Sequence, residues 1–376
     1  MINFDKTYDS HVHFFGVGIG AVDWIIENNN LKLPDHLKDQ HTVRGFGLDS
    51  DVKETELSAL YNSFPDIKFC LSYSDGHSSL VSKNLISELS FKLSPEAKVH
   101  ENFVSLYEKE RDEFLRQLPK RSNEELKKMA LYSVEYFKKQ GVKRLRHMTC
   151  TIQQWNVLAE IYKEESSYSP ELYIECMFAE FMDQNFEEAI DAFNFARRNP
   201  INKVEAVGIK LFFDGSISQS TAYMSSFKNS KPRLSKIELE DRMETVLVKM
   251  KVPLALHTIG DLALETSLMT YKSLAEKHED CAPLHLEHAP VFTKDSMQIL
   301  KEKKLDCTFH FQPSHWIKDS IWYENEKHSL KPHCIYPFYE LKQMGYDFFM
   351  GSDAPVEESK VDLTEKGLAR IKETKG

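Results

Sequence analysis

Residues 252–278 read "VPLALHTIGDLALETSLMTYKSLAEKH". A short apolar run ends on His257, a tight turn follows, and the next stretch mixes apolar positions at spacings of three and four with charges. That is one strand followed by one helix. The unit recurs on both sides. "TYDSHVHFF", "GVKRLRHMTC", "ELYIECMFAEF", "AVGIKLFFDG", "APLHLEHAP", "LDCTFHFQP" and "YDFFMGSDAP" bring the candidate strands to eight, with helical segments such as "QNFEEAIDAFNFARRN", "KIELEDRMETVLVKMK" and "TKDSMQILKEKK" between them. Strands alternating with helices build a parallel sheet, and eight such units predict an α/β fold closed as a (β/α)8 TIM barrel. No GxGxxG follows an early strand, which argues against a dinucleotide-binding open sheet.

The whole chain, residues 1–376, reads as one barrel domain carrying a long insertion after the first strand. That insertion, residues 20–140, is expected as a subdomain over the barrel mouth, with some strand of its own near 67–73. Its last part, residues 90–140, is highly charged and predicts solvated helices. No internal repeat or low-complexity linker is visible.

Composition narrows the function class. Hydrophobic residues make up 41% of the chain, with 24 Phe and 15 Tyr, enough for a substantial core. The net charge of -10 lacks the positive field that a nucleic-acid or anionic-membrane binder needs. The N-terminus shows no basic segment leading into an apolar run, and no run of about 18 apolar residues occurs. The six cysteines are scattered without a CxxC pair and read as reduced thiols, so a cytoplasmic location is expected.

Polar residues fall at the strand ends, where this architecture places its chemistry. His11 and His13 close the first strand in "DSHVH". Side chains alternate along a strand, so these two imidazoles share a face while Val12 turns away. Lys210 lies late in the fourth strand, His257 ends the fifth, His288 the sixth and Asp353 the eighth. Imidazole and carboxylate groups gathered on one rim suit Zn²⁺ and similar divalent ions. Asp353 also has a purely structural reading, an Asx turn before Pro355.

Taken together, "DSHVH", "SDGHSSLVSKNLI", "GIKLFFDGS", "HTIGD", "LEHAP", "FQPSHW" and "GSDAPVE" resemble the amidohydrolase superfamily, in particular its amidohydrolase-3 branch of metal-dependent hydrolases. The resemblance runs in order from residue 8 to about 357. It implies a zinc-dependent hydrolase of non-peptide C–N bonds, acting on an amide, a cyclic amide or an N-substituted formamide. It assigns His11 and His13 to one ion. His257 and His288 go to a second ion, or to the substrate if only one ion binds. Lys210 becomes a bridging ligand once carboxylated, since an ammonium has no lone pair; the alternative is a plain lysine paired with Asp214 or another carboxylate. Asp353 becomes ligand and general base. His77, Asp214, Gln312 and His315 are the candidate substrate-binding residues.

Members of that superfamily carry a small β-sandwich built from both termini. Here about seven residues precede the first strand and one short helix follows "GSDAPVEESK", so no sandwich is expected. Two other readings stand beside the hydrolase: a heterocyclic-base deaminase with one metal and an unmodified Lys210, and a catalytically silent barrel that binds a ligand. The expected partner is a small-molecule substrate, with no nucleic acid and no membrane. A homodimer is expected only by analogy.

Overall fold

The computed structural model describes residues 4–49, 51–95, 97–163, 170–180, 184–228 and 230–375. They divide into two compact units, residues 1–14 with 133–376 and residues 15–132.

In the first unit eight strands form one sheet: β1 (Tyr8–Val12), β2 (Arg144–Cys150), β3 (Tyr173–Ala179), β4 (Val204–Phe212), β5 (Leu254–Thr258), β6 (Leu284–His288), β7 (Cys307–Phe311) and β8 (Asp347–Met350). Each pairs in parallel with the next in chain order. The seam closes just past the last strand. Val12 bridges Ala354 in parallel, the Asp353 N–H donates to the His11 carbonyl at 2.8 Å, and the His13 N–H donates to the Ala354 carbonyl at 2.7 Å. The result is a (β/α)8 barrel, and its strands are the eight expected from the sequence.

Helices follow the strands: α1 (Ile152–Lys163), α2 (Phe186–Arg198), α3 (Lys236–Met243), α4 (Asp261–Lys277), α5 (Lys294–Glu302), α6 (Trp316–Glu326), α7 (Phe338–Gln343) and α8 (Val361–Lys375). The second of these shows why such segments are helical. The Asn185 side chain accepts from the Glu188 N–H while the Glu188 carboxylate accepts from the Asn185 N–H, so two otherwise orphaned donors are satisfied. Glu187 and Glu188 sit in the first turn and Arg197 and Arg198 in the last, matching the helix dipole. Phe186, Ala189, Ala192, Phe193 and Ala196 form its buried face. Among the described residues, no helix is long and apolar enough to cross a membrane.

The second unit is a six-stranded sheet in the spatial order Trp24–Ile25, Thr42–Leu48, Lys68–Tyr73, Ser78–Ser82, Phe103–Tyr107, Lys98–Val99. The first three strands run parallel and the others pair antiparallel. One face buries Trp24, Val43, Leu57, Phe69 and Phe103, and the other buries Val81, Leu85, Val104, Leu106 and Phe114. The strand expected near 67–73 is present, but residues 90–140 are not all solvated helix. Phe103–Tyr107 is a strand with four buried residues, flanked by partners on both edges. Local charge density predicts solvation, and tertiary pairing of the short apolar run "FVSLY" overrides it. The unit ends at Tyr132, inside the helix Asn123–Lys139.

Candidate metal centre

The parallel register brings one set of strand ends together. Thr258 of β5 stands beside His288 of β6, Phe212 of β4 beside His257, and Asp353 follows β8 across the seam from His11. Asp353 Oδ1 lies 3.3 Å from His11 Nε2 and 3.1 Å from His13 Nε2. Its other oxygen, Oδ2, lies 3.9 Å from His288 Nδ1 and 3.7 Å from His315 Nε2. Two groups of potential ligands therefore share one carboxylate, His11–His13–Asp353 and His288–His315–Asp353, with the donor atoms of each within 4.8 Å of one another.

Three left-handed backbone positions, at His288, Ala289 and Asp353, accompany this convergence. Alternation along β6 would send Glu287 and His288 to opposite faces. His288 instead has φ 70° and Ala289 φ 40°, and both Glu287 and His288 reach His11. Glu287 Oε2 is 2.6 Å from His11 Nδ1, and the His288 ring centroid is 4.7 Å from that of His11. Asp353 has φ 63°. Positive φ at non-glycine residues is uncommon and concentrates at functional sites.

A layer of buried groups supports the rim. Arg146 on β2 donates Nε to the Ser10 carbonyl at 3.0 Å and pairs through Nη2 with Glu287 Oε1. Asp9, on β1, accepts from the Ser352 N–H at 2.8 Å and from the Ser352 hydroxyl at 2.7 Å, and also from the Ser359 hydroxyl. It thereby ties β1 to the residue before Asp353. Asp214 accepts three backbone N–H groups, those of Tyr223, Ile259 and Gly260, at 3.0, 3.0 and 2.7 Å. That holds the loop after β5 in place. Gly260 is needed there, because an added Cβ would meet the Tyr223 carbonyl oxygen at 2.0 Å.

The electrostatics follow from burial and neighbours. Burial pushes the Asp353 carboxyl up, but His11, His13 and His288 outweigh it and hold it well below the usual carboxylate range. Burial, with His11 adding to it, holds His288 well below the usual imidazole range, and burial holds His13 down despite Asp353. Lys210 is fully buried, and burial brings its amine down to about 8. Lys210 Nζ, His288 Nδ1, His315 Nε2 and Asp353 Oδ1 are buried and make no hydrogen bond within the protein. Buried polar atoms left in that state call for an explanation. An ionised carboxylate accepts only, and it faces imidazole nitrogens from two directions, with His288 and His315 beyond hydrogen-bond reach of Oδ2. Such a set of nitrogen and carboxylate oxygen donors fits a divalent metal cation.

The sequence-derived residues distribute as follows. His11, His13, His288 and Asp353 come together. His315, expected as pocket lining, stands among the potential ligands. His257 lies outside both groups: its Nε2 is 3.1 Å from the Gly215 carbonyl and 3.6 Å from Asp214 Oδ1, and its ring packs 4.5 Å from that of His288. Gln312 is buried, spends its amide N–H on the His310 carbonyl at 3.1 Å, and keeps Oε1 unpaired. His77 belongs to the second unit, where Nδ1 lies 3.1 Å from Glu108 Oε2. Sequence reasoning missed Glu287, Arg146 and Asp9. The charged residues inside apolar strands, in "LEH", "RLRH" and "YDSH", are the signal that marks them.

Comparisons with known proteins bear on the family and the fold. A model of the amidohydrolase family matches residues 8–360. Among solved structures, an uncharacterized metal-dependent hydrolase from Pyrococcus horikoshii OT3 superposes with a TM-score of 0.71 at 19% identity, covering 98% of this chain and 77% of that one. A second uncharacterized metal-dependent hydrolase, from Pyrococcus furiosus, gives 0.67 at 16% identity, covering 96% and 75%. At such identities the likeness speaks for the fold. No curated protein matches the chain. The family match spans every strand of the barrel and each residue of both ligand groups, and the chain belongs to the amidohydrolase family.

Proposed function

We propose that this protein is a zinc-dependent hydrolase that cleaves a non-peptide C–N bond, an amide, cyclic amide or N-substituted formamide, in a small-molecule substrate. The observation that carries the reading is the single carboxylate of Asp353 set between two groups of imidazoles. His11, His13 and Asp353 would hold one ion, and His288, His315 and Asp353 offer donors for a second. When bound, such an ion polarises the scissile carbonyl and lowers the pKa of water toward 7. The remaining chemistry belongs to the chain. Asp353 is ionised at neutral pH, so it takes a proton from the attacking water at a carboxylate oxygen and returns it to the leaving nitrogen. Lys210, with no hydrogen-bond partner for Nζ and an amine brought down to about 8, keeps an appreciable neutral fraction near neutrality. Its lone pair adds to CO₂, a proton leaves, and the resulting carbamate supplies the acceptor oxygens that the ammonium lacks.

Metal reconstitution followed by a panel of amide, cyclic-amide and formamide substrates tests the reading. Turnover is expected to require added zinc and to fall about 10²–10⁴-fold in Asp353→Asn, the usual worth of a general base. Carbon-13 NMR after incubation with labelled bicarbonate is expected to show a carbamate signal that Lys210→Ala removes. Zinc-independent turnover, or Asp353→Asn at wild-type rate, would sink the mechanism.

A further inference from the structure

We propose that Glu287, held by Arg146, is a positioning residue that keeps a proton on His11 Nδ1 and so turns Nε2 toward Asp353 as the nitrogen left for an ion. The proposal rests on reading His11–His13–Asp353 as a metal centre. Its own basis is the hydrogen-bond chain beneath that centre. Glu287 is completely buried on β6, and its two oxygens have separate partners. Oε1 takes Nη2 of Arg146, and Oε2 lies 2.6 Å from Nδ1 of His11. Arg146 is itself 3% exposed and donates its Nε to the Ser10 carbonyl, one residue before His11. Three strands, β1, β2 and β6, are thereby tied together around one imidazole.

The proton count follows from the inventory of donors. A guanidinium has donors only and stays protonated in proteins. Buried as it is, it needs an anion, and Glu287 is the carboxylate it touches. An ionised Glu287 can only accept, so the proton in the 2.6 Å contact sits on His11 Nδ1. With Nδ1 committed to Glu287, Nε2, 3.3 Å from Asp353 Oδ1, is the ring nitrogen left to meet an ion. Without Glu287, His11 would be free to place its proton on Nε2 and give it to Asp353, satisfying both groups and cancelling the site. The Arg146–Glu287 pair removes that option. Carboxylate partners of metal-binding imidazoles act in this way, and losing one costs about 10–100-fold in metal affinity.

The test is nitrogen-15 NMR of the metal-free, histidine-labelled full chain at neutral pH, with His11 assigned by its loss in His11→Gln, together with zinc affinity by chelator competition. His11 is expected to carry its proton on Nδ1. Glu287→Gln is expected to give a mixture of tautomers and about 10–100-fold weaker zinc binding. Wild-type protein that binds zinc yet shows no proton on His11 Nδ1 would overturn the proposal alone, as would unchanged affinity and tautomer in Glu287→Gln. Wild-type protein that binds no zinc would overturn the metal-centre reading beneath it. Removing the counter-charge of a buried arginine can prevent folding, so Glu287→Asp serves as a second variant. It keeps the charge, retracts the carboxylate by one methylene, and is expected to fold with weakened zinc binding; wild-type affinity there would also count against the proposal.

Discussion

His147 has no room for a second proton. Its Nδ1 accepts the Phe14 N–H at 3.2 Å, its Nε2 faces Gln154 Oε1 at 3.2 Å, and burial holds its pKa down at about 3. In the unfolded chain the same imidazole titrates near 6.5. Below that pH the unfolded state binds a proton that the folded state refuses. Stability should therefore fall as pH falls from about 6.5 toward 3, by about 1.4 kcal/mol per pH unit from this residue. His285, brought to about 4 by burial with Arg146 adding to it, acts in the same direction. Denaturant midpoints of the metal-free protein across this range measure the slope, and His147→Gln is expected to flatten it. A variant profile parallel to wild type contradicts the assignment. At this scale the sequence exposes residues whose position along a strand marks them: His11, His13, His288 and Asp353. It hides those that act through a tertiary partner. Glu287 meets His11 across 276 positions and Arg146 across 141, and Asp9 meets Ser352 across 343. No local pattern records such a contact.

The barrel strands are legible because each is a short apolar run bounded by turn residues and followed by a helix of clear period. Their final residues are not. The turns at His288 and Asp353 place non-glycine residues at φ 70° and φ 63°, and a period-2 reading cannot foresee the resulting change of side-chain direction. The seam between β1 and β8 is likewise set by a close approach. A Cβ added at Gly351 would lie 2.7 Å from both the His11 Cβ and the His11 backbone nitrogen. Gly351→Ala must push the two elements apart, at a cost of about 1–3 kcal/mol as for other overpacked sites. Because the displaced residue is His11, zinc affinity is expected to fall together with the unfolding midpoint. A variant with both quantities unchanged would show that the seam has slack that its geometry denies.

At the scale of the molecule, the internal sheet of the second unit is hard to read from the sequence, because the charged stretch around Phe103–Tyr107 conceals a buried strand. Phe69 and Phe103 share the core of that unit, with ring centroids 6.3 Å apart, and both are almost completely buried. Phe69→Ala is expected to cost about 3–5 kcal/mol, the usual range for deleting a buried aromatic, as measured by denaturant unfolding followed on a signal from the second unit. A loss under about 1 kcal/mol would contradict the core as described.

The central claim is that the barrel mouth is a metal centre, and metal content per chain tests it most directly. Protein purified without chelator or added metal is analysed by plasma mass spectrometry beside a His11→Ala/His13→Ala double variant. The expected result is zinc or a similar divalent ion in the wild type at about one to two equivalents, the range that one or two sites of this donor type would hold, and its loss in the variant. A wild type holding well under half an equivalent, unchanged by the substitutions and not restored by added zinc, would contradict the metal centre and the hydrolase built on it.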